Sequence, residues 1–187
     1  KSFENSIKYL LGLFYLCTKD LSFDKGIDYI DEAANNGYAP AEYLIGLLLL
    51  NGNYDYTINK KKSFNYMKKS AMQGYGLGEF QLANYYNIGI GTSINLKEAF
   101  NWMRKAALDS HIDKAYLQLG LYYKCGVGTP VNMRYAKKYI LKLTEGNRKD
   151  PEAFYIIGVM NFEGDGFDKD KKKAFKCFQK ASDMGHT

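Results

Sequence analysis

Apolar residues recur along this chain at helical spacing, and the pattern itself repeats. One type of segment carries a small residue preceded by an apolar one and followed, three positions later, by a mostly large one. Its copies are Leu11-Gly12 with Tyr15, Ile45-Gly46 with Leu49, Leu82-Ala83 with Tyr86, Leu119-Gly120 with Tyr123 and Ile157-Gly158 with Asn161. The small residues lie 34, 37, 37 and 38 positions apart. Five residues before each stand Ile7, Ala41, Gly78, Ala115 and Ala153, mostly small again. Small side chains just over a turn apart let a second helix approach closely, and the apolar residues between them supply the contact. The pattern predicts helices centred near Leu11, Ile45, Ala83, Leu119 and Ile157, designated helix A of each repeat.

A second segment follows each first one with equal regularity, designated helix B. It opens on Gly26, Ser63, Ala99, Ala136 and Ala174, with Tyr29, Tyr66, Trp102, Tyr139 and Cys177 three residues on. Small pairs then follow, Ala33-Ala34, Ser70-Ala71, Ala106-Ala107 and Ala181-Ser182, except that repeat 4 has Leu143-Thr144. The closing column is Gly37, Gly74, Ser110, Asn147 and Gly185, as a helix C-terminus in left-handed conformation favours. Between helices A and B lie Asn51-Gly52-Asn53, Gly89-Ile90-Gly91, Gly126-Val127-Gly128 and Gly164-Asp165-Gly166, which turn the chain back antiparallel. Asn95, Asn132 and Asp170 stand where they cap or open helix B, with Asp24 in the matching place of repeat 1. The expected fold is all-α, with no strands: one domain over 1–187, with repeats at 1–37, 38–75, 76–111, 112–149 and 150–187. Because the chain starts and stops within the pattern, it reads as a segment of a longer protein.

These residues resemble the Sel-1-like repeat family, a relative of the tetratricopeptide repeats. Ala115, Leu119-Gly120, Tyr123 and Gly126-Val127-Gly128 follow the family's first half, and Lys97, Ala99, Trp102 and Ala106-Ala107 follow its second. The resemblance covers essentially the whole chain. Repeat 1 departs by lacking the loop glycines, and repeat 4 by its Leu143-Thr144, which puts the packing there in question. The resemblance implies a right-handed superhelical α/α solenoid with helix A on the concave side and helix B on the convex side. It also implies roles as varied as adaptors of membrane-protein degradation in the endoplasmic reticulum, regulators of cell-wall synthesis and exported bacterial host-interaction factors. The residues choose no compartment among these.

Composition narrows the chemistry. With 46% hydrophobic and 25% charged residues, the chain is typical of a folded protein. No apolar run approaches the roughly 18 residues that a membrane span requires, and no signal peptide is visible at the start. Cys17, Cys125 and Cys177 never form a CxxC pair, which argues against structural zinc and a disulfide framework. His111 and His186 lack metal partners at ligand spacing. Ser22 to Lys25 spells S-x-x-K, but at the entrance of a helix and without companion motifs. The G-x-G pairs lack a preceding strand and a third glycine, and Asp31-Glu32 are solvated surface positions. The expectation is therefore a chain without cofactor or metal and not an enzyme.

A surface can be argued instead. On helix A, the columns three before, one after and four after the small residue contain the candidate partner-binding residues: Tyr9, Tyr43, Phe80, Leu117 and Tyr155; Leu47, Asn84 and Leu121; Asn87, Lys124 and Phe162. The aromatics of the first column are expected to be exposed, forming a groove for a hydrophobic or extended polypeptide, with a polar notch at Asn84 and Asn87. The competing reading of the same column is packing between repeats. The function read from the sequence is a protein-interaction scaffold or adaptor, a component of a larger complex. The alternative is an RNA-binding helical-repeat module, which needs basic residues along the groove. The net charge of +6 resides instead mostly on or just before helix B, at Lys60 to Lys62, Lys68-Lys69, Lys137-Lys138 and Lys171 to Lys173, with only Lys124 on the inner columns. Nucleic acid is accordingly the weaker expectation.

Overall fold

A computed structural model describes residues 2–18, 22–53, 56–146 and 149–185. Asn147 and His186 fall outside the described residues. Among these there are ten helices and no strand. The chain divides into two compact units, Lys1–Ala106 and Ala107–Thr187. The first contains α1 (Ser2–Cys17), α2 (Phe23–Asn35), α3 (Ala39–Asn51), α4 (Lys60–Met72), α5 (Gly76–Ile88) and most of α6 (Leu96–Leu108). The second contains α7 (Asp113–Cys125), α8 (Met133–Leu141), α9 (Pro151–Glu163) and α10 (Lys171–Asp183). Odd-numbered helices are the A segments and even-numbered ones the B segments, centred where the periodicity predicts.

The small-residue columns meet at the A/B crossings. A Cβ added to Gly12 would lie 2.5 Å from Ile30 Cγ1 and 2.8 Å from the Gly26 carbonyl oxygen. At Gly120 it would lie 2.5 Å from Ile140 Cγ1 and 3.2 Å from the Ala136 oxygen. In repeat 2 the Ser63 hydroxyl uses this closeness, donating to the Gly46 carbonyl at 2.6 Å with the Tyr85 hydroxyl 2.7 Å away. Each B segment also packs on the A segment that follows it within a unit, α2 on α3, α4 on α5 and α8 on α9. Helices α3, α5 and α9 are thus sandwiched and apolar nearly all round, whereas the B helices keep a solvated face and are amphipathic.

Helix ends follow the expected chemistry with local corrections. Gly126, at φ 74°, ends α7 and donates its N–H to the Tyr122 carbonyl, and the other helix A glycines do the same. The side chains of Asn95, Asn132 and Asp170 accept from backbone N–H groups of α6, α8 and α10, and Asn59 does so unanticipated for α4. Asp24 opens α2 without capping it, because the helix begins one residue earlier, at Phe23. The carboxylate sits in the first turn instead, where it complements the helix dipole. Ser110 is not the left-handed closure of repeat 3. His111 takes that conformation, at φ 54°, with its Nδ1 3.2 Å from the Tyr116 hydroxyl. The Leu143-Thr144 departure shows as a short α8 of 9 residues, against 13 in the other B helices. Leu143 is buried just past its end, and the Thr144 hydroxyl turns back to donate to the Leu141 carbonyl.

Candidate protein-binding surface

In the first unit, the residues three before, one after and four after the small residue lie half-buried on all three A helices: Tyr9, Tyr43, Leu47, Phe80, Asn84 and Asn87 among them. None is fully sequestered and none stands free. Tyr43, Leu47 and Leu50 form one stripe of α3, with their bodies against the cluster of Met67, Ala71, Leu82 and Tyr85. The tyrosines do not stand alone. Tyr9 meets the ring of Tyr38 with centroids 5.5 Å apart, and Tyr43 meets Tyr75 edge-on at 5.6 Å. Burial pushes the Tyr9 phenol up to about 12, with added contributions from Tyr75, Tyr38 and Tyr43, which gathers the four phenols into one ladder. Tyr43 and Tyr75 are raised by burial as well. Tyr9, Tyr43 and Tyr75 therefore keep their hydroxyl protons at neutral pH, each offering a donor tip on an apolar body.

Tyr38 and Tyr75 were not among the residues expected here. They precede α3 and α5 as N-cap residues, outside the helical period that identifies the columns. Their signal is the repeated Gly-Tyr step, Gly37-Tyr38 and Gly74-Tyr75, at the passage from B to A.

The second unit treats the same columns differently. Leu117 is only 4% exposed, contrary to the expected exposure of its column. A leucine has no polar tip to keep in water, so complete burial is favoured where a tyrosine stays half out. Tyr155 and Phe162, by contrast, are 45% and 50% exposed, and Tyr155 leans on Phe178 at 5.8 Å. Leu121 is half-buried. Lys124 Nζ lies 3.1 Å from Asp165 and 3.9 Å from Glu163, so the one basic residue of these columns is neutralised by the following repeat.

A second constellation ties helix A to helix B in every repeat. The residue four before the small residue of A faces the residue six after the entry residue of B. Lys8 meets Glu32 at 2.6 Å in repeat 1. Glu42 lies in the field of Lys69 and accepts from Gln73 Nε2 at 2.6 Å in repeat 2, and Glu79 lies 3.9 Å from Lys105 in repeat 3. In repeats 4 and 5, Lys142 sits 4.9 Å above the Tyr116 ring and Lys180 5.3 Å above that of Phe154. Burial is the main cause raising the Glu42 carboxyl above its ordinary 4.5, partly opposed by Lys69 and Gln73. Several B-helix lysines thus serve as covers over rings or carboxylates. Among the described residues no group of His, Cys, Asp or Glu comes together that could hold a metal ion, and no helix is long and apolar enough to cross a membrane.

The comparisons agree with this architecture. The chain is similar to a protective antigen of uropathogenic Escherichia coli, c5321, whose structure displays an SLR fold, with 24% identity and a TM-score of 0.89 over 97% of this chain. It spans only 38% of that protein's length. A Sel1 repeat protein from Oxalobacter formigenes superposes with a TM-score of 0.87, again at 24% identity, over 98% of this chain and 74% of its own. A putative Sel1 repeat protein from Klebsiella pneumoniae gives 0.58 at 24% identity, over 97% of this chain and 88% of its own. No curated protein matches in sequence. The family model described as Sel1 repeat matches residues 39–75, 76–111, 113–147 and 151–186, leaving the first helix pair unmatched. The chain is an all-helical repeat solenoid that belongs to the Sel1 repeat family, whose members are generally protein-interaction scaffolds and generally non-catalytic.

Proposed function

We propose that this chain is an adaptor that holds an extended polypeptide segment of a partner protein along the helix A stripes of its first unit. The observation that supports this is the ladder of Tyr9, Tyr38, Tyr43 and Tyr75, half-buried rings with phenol tips. Rings held by their neighbours lose little freedom on binding, and each tip can exchange a hydrogen bond with water for one with a peptide group. Leu47 and Phe80 extend the apolar strip, and Asn84 and Asn87 supply amides that pair with a peptide backbone. In the second unit, Tyr155 and Phe162 are the exposed counterparts, Leu121 contributes a half-buried flank, and Lys124 with its two carboxylates forms a polar edge. Leu117 is a packing residue and has no part in the site.

The test is a photo-crosslinking side chain at Phe80, with Tyr43→Ala as the competing variant. The adaptor reading expects adducts with protein, lost on Tyr43→Ala with helical content unchanged and weakened only slightly by salt, because apolar contacts are little screened. Truncation of such an aromatic anchor typically costs above about 1 kcal/mol of binding. Adducts with RNA, a steep loss with salt, and loss on replacing Lys60 to Lys62 would overturn it. The RNA reading has less support, since Lys124 is already paired and the other lysines named lie on or just before helix B.

A further inference from the structure

Charge restricts what the helix A stripes of the first unit can hold. α3 and α5 carry one charged residue each, Glu42 and Glu79, and both are buried, facing Lys69 and Lys105. α1 carries Glu4 and Lys8, which pair with one another at 3.0 Å. The turns into α3 and α5, Asn36-Gly37-Tyr38 and Gln73-Gly74-Tyr75, carry no charge. A charged segment laid over this strip would lose water without meeting an opposite charge. Charge complementarity therefore selects an uncharged one.

The strip also offers hydrogen bonds that the chain does not use. Elsewhere in the unit tyrosine hydroxyls are engaged: Tyr56 donates to Asp31, and the Tyr85 hydroxyl lies 2.7 Å from Ser63 Oγ. Among the described residues, nothing hydrogen-bonds the hydroxyls of Tyr9, Tyr43 and Tyr75. Burial keeps these three protonated, so each is ready to donate to a carbonyl. An α-helix uses its carbonyls internally and would leave the donors unmet. A segment in polyproline II has no internal hydrogen bonds and keeps its carbonyls outward. Proline, moreover, brings no N–H that needs an acceptor.

Spacing separates polyproline II from a β-strand. Tyr9 with Tyr38 and Tyr43 with Tyr75 are the same pair one repeat apart, with centroids 5.5 and 5.6 Å apart and tilts of 59° and 63°. Tyr9 and Tyr43 stand on consecutive A helices, and helices packed side by side run about 8–10 Å apart. A bound segment must present the same side at that interval. Polyproline II does so every third residue, about 9 Å on. A β-strand does so every second residue, about 7 Å on. Proline also loses no side-chain freedom when its ring lies against a phenol.

We propose, resting on the adaptor reading, that the first unit holds an uncharged proline-rich stretch in polyproline II. Prolines three residues apart sit on the Tyr9–Tyr38 and Tyr43–Tyr75 pairs, and the carbonyls of the stretch accept from the phenols. The experiment is fluorescence anisotropy with dye-labelled, terminally blocked peptides of equal length. One has proline at every third position among alanine and glutamine, one has proline at every second, one has none, and one adds glutamates to the first. The first is expected to bind tightest, with an affinity little changed by salt. Tyr43→Phe keeps the ring and breaks no internal bond, so it should weaken that peptide about three- to tenfold with unchanged circular dichroism. Tyr155→Ala, in the second unit, should leave it unchanged. Equal binding of the proline-free peptide, indifference to proline spacing, tighter binding of the glutamate peptide, or no loss on Tyr43→Phe would overturn the proposal. The crosslinker at Phe80 separates its failure from that of the adaptor reading. Protein adducts that the first peptide does not displace would overturn the polyproline occupant and leave the adaptor standing. Absence of both protein adducts and peptide binding would overturn the two together.

Discussion

Repeats 2 and 3 of the first unit and repeats 4 and 5 of the second close the same joint with different chemistry. In the first unit a buried carboxylate, Glu42 or Glu79, faces Lys69 or Lys105. In the second, Tyr116 and Phe154 lie under Lys142 and Lys180. The lysine is the constant element, because an ammonium group is attracted both to an anion and to the face of a ring. Its partner decides the energetics. A ring gains from leaving water, whereas a carboxylate is desolvated at a cost that its ion pair only partly offsets. Repeat 1 reverses the pair, with Lys8 on helix A and Glu32 on helix B. The attraction therefore has no fixed direction, and what is repeated is the meeting of the two positions.

The largest expected effect comes from the crossings beneath these joints, which also differ between repeats 2 and 4. Gly120 of the second unit faces the β-branched Ile140 and a backbone oxygen, while Gly46 of the first faces the flexible end of Met67, with Cε 2.9 Å from an added Cβ. Gly120→Val should destabilise by roughly 1–3 kcal/mol through overpacking. Gly46→Val should cost less, since a thioether can swing aside. Equal losses in denaturant titrations of the two variants would remove this distinction between repeats 2 and 4.

A smaller effect, of opposite sign, separates the ionic joint from the aromatic one. Because burial raises the folded-state Glu42 carboxyl above 4.5, the unfolded chain releases that proton more readily. This group therefore opposes folding increasingly as pH rises from about 4.5 through its folded value, and contributes nothing at lower pH. Glu42→Gln should raise the melting temperature at neutral pH, where it removes a desolvated charge, and should change it little near pH 4. A melting temperature lowered at both pH values would show that the contact with Gln73 outweighs desolvation.

The sequence makes the crossings legible and the joints not, for physical reasons. Gly12, Gly46, Gly120 and Gly158 recur because close approach tolerates only small side chains, so geometry restricts the residue type. The joint restricts only a pair, as Glu with Lys or Tyr with Lys, and its members lie on different helices. Single columns therefore look unordered. The tyrosine ladder was half legible: Tyr9 and Tyr43 follow the helical period, while Tyr38 and Tyr75 belong to the turns before α3 and α5. Leu117 shows the reverse failure, since a shared column says nothing of whether its residue stays at the surface.

The smallest effects compare lysines that look interchangeable in the sequence. Lys142 covers the ring of Tyr116 at 4.9 Å, and an exposed contact of this kind contributes about 0.5–1 kcal/mol. Lys142→Ala should therefore lower stability by that amount. Lys172 is exposed in the first turn of α10, and its backbone N–H, not its side chain, donates to Asp170 at 3.0 Å. Alanine retains that bond and is a better helix former, so Lys172→Ala should change stability by less than about 0.5 kcal/mol. The two variants lose the same charge, so any general effect of net charge cancels between them. A difference in melting temperature then reports the ring contact alone, and equal melting temperatures would mean that the lysine over Tyr116 is solvated like any other on helix B.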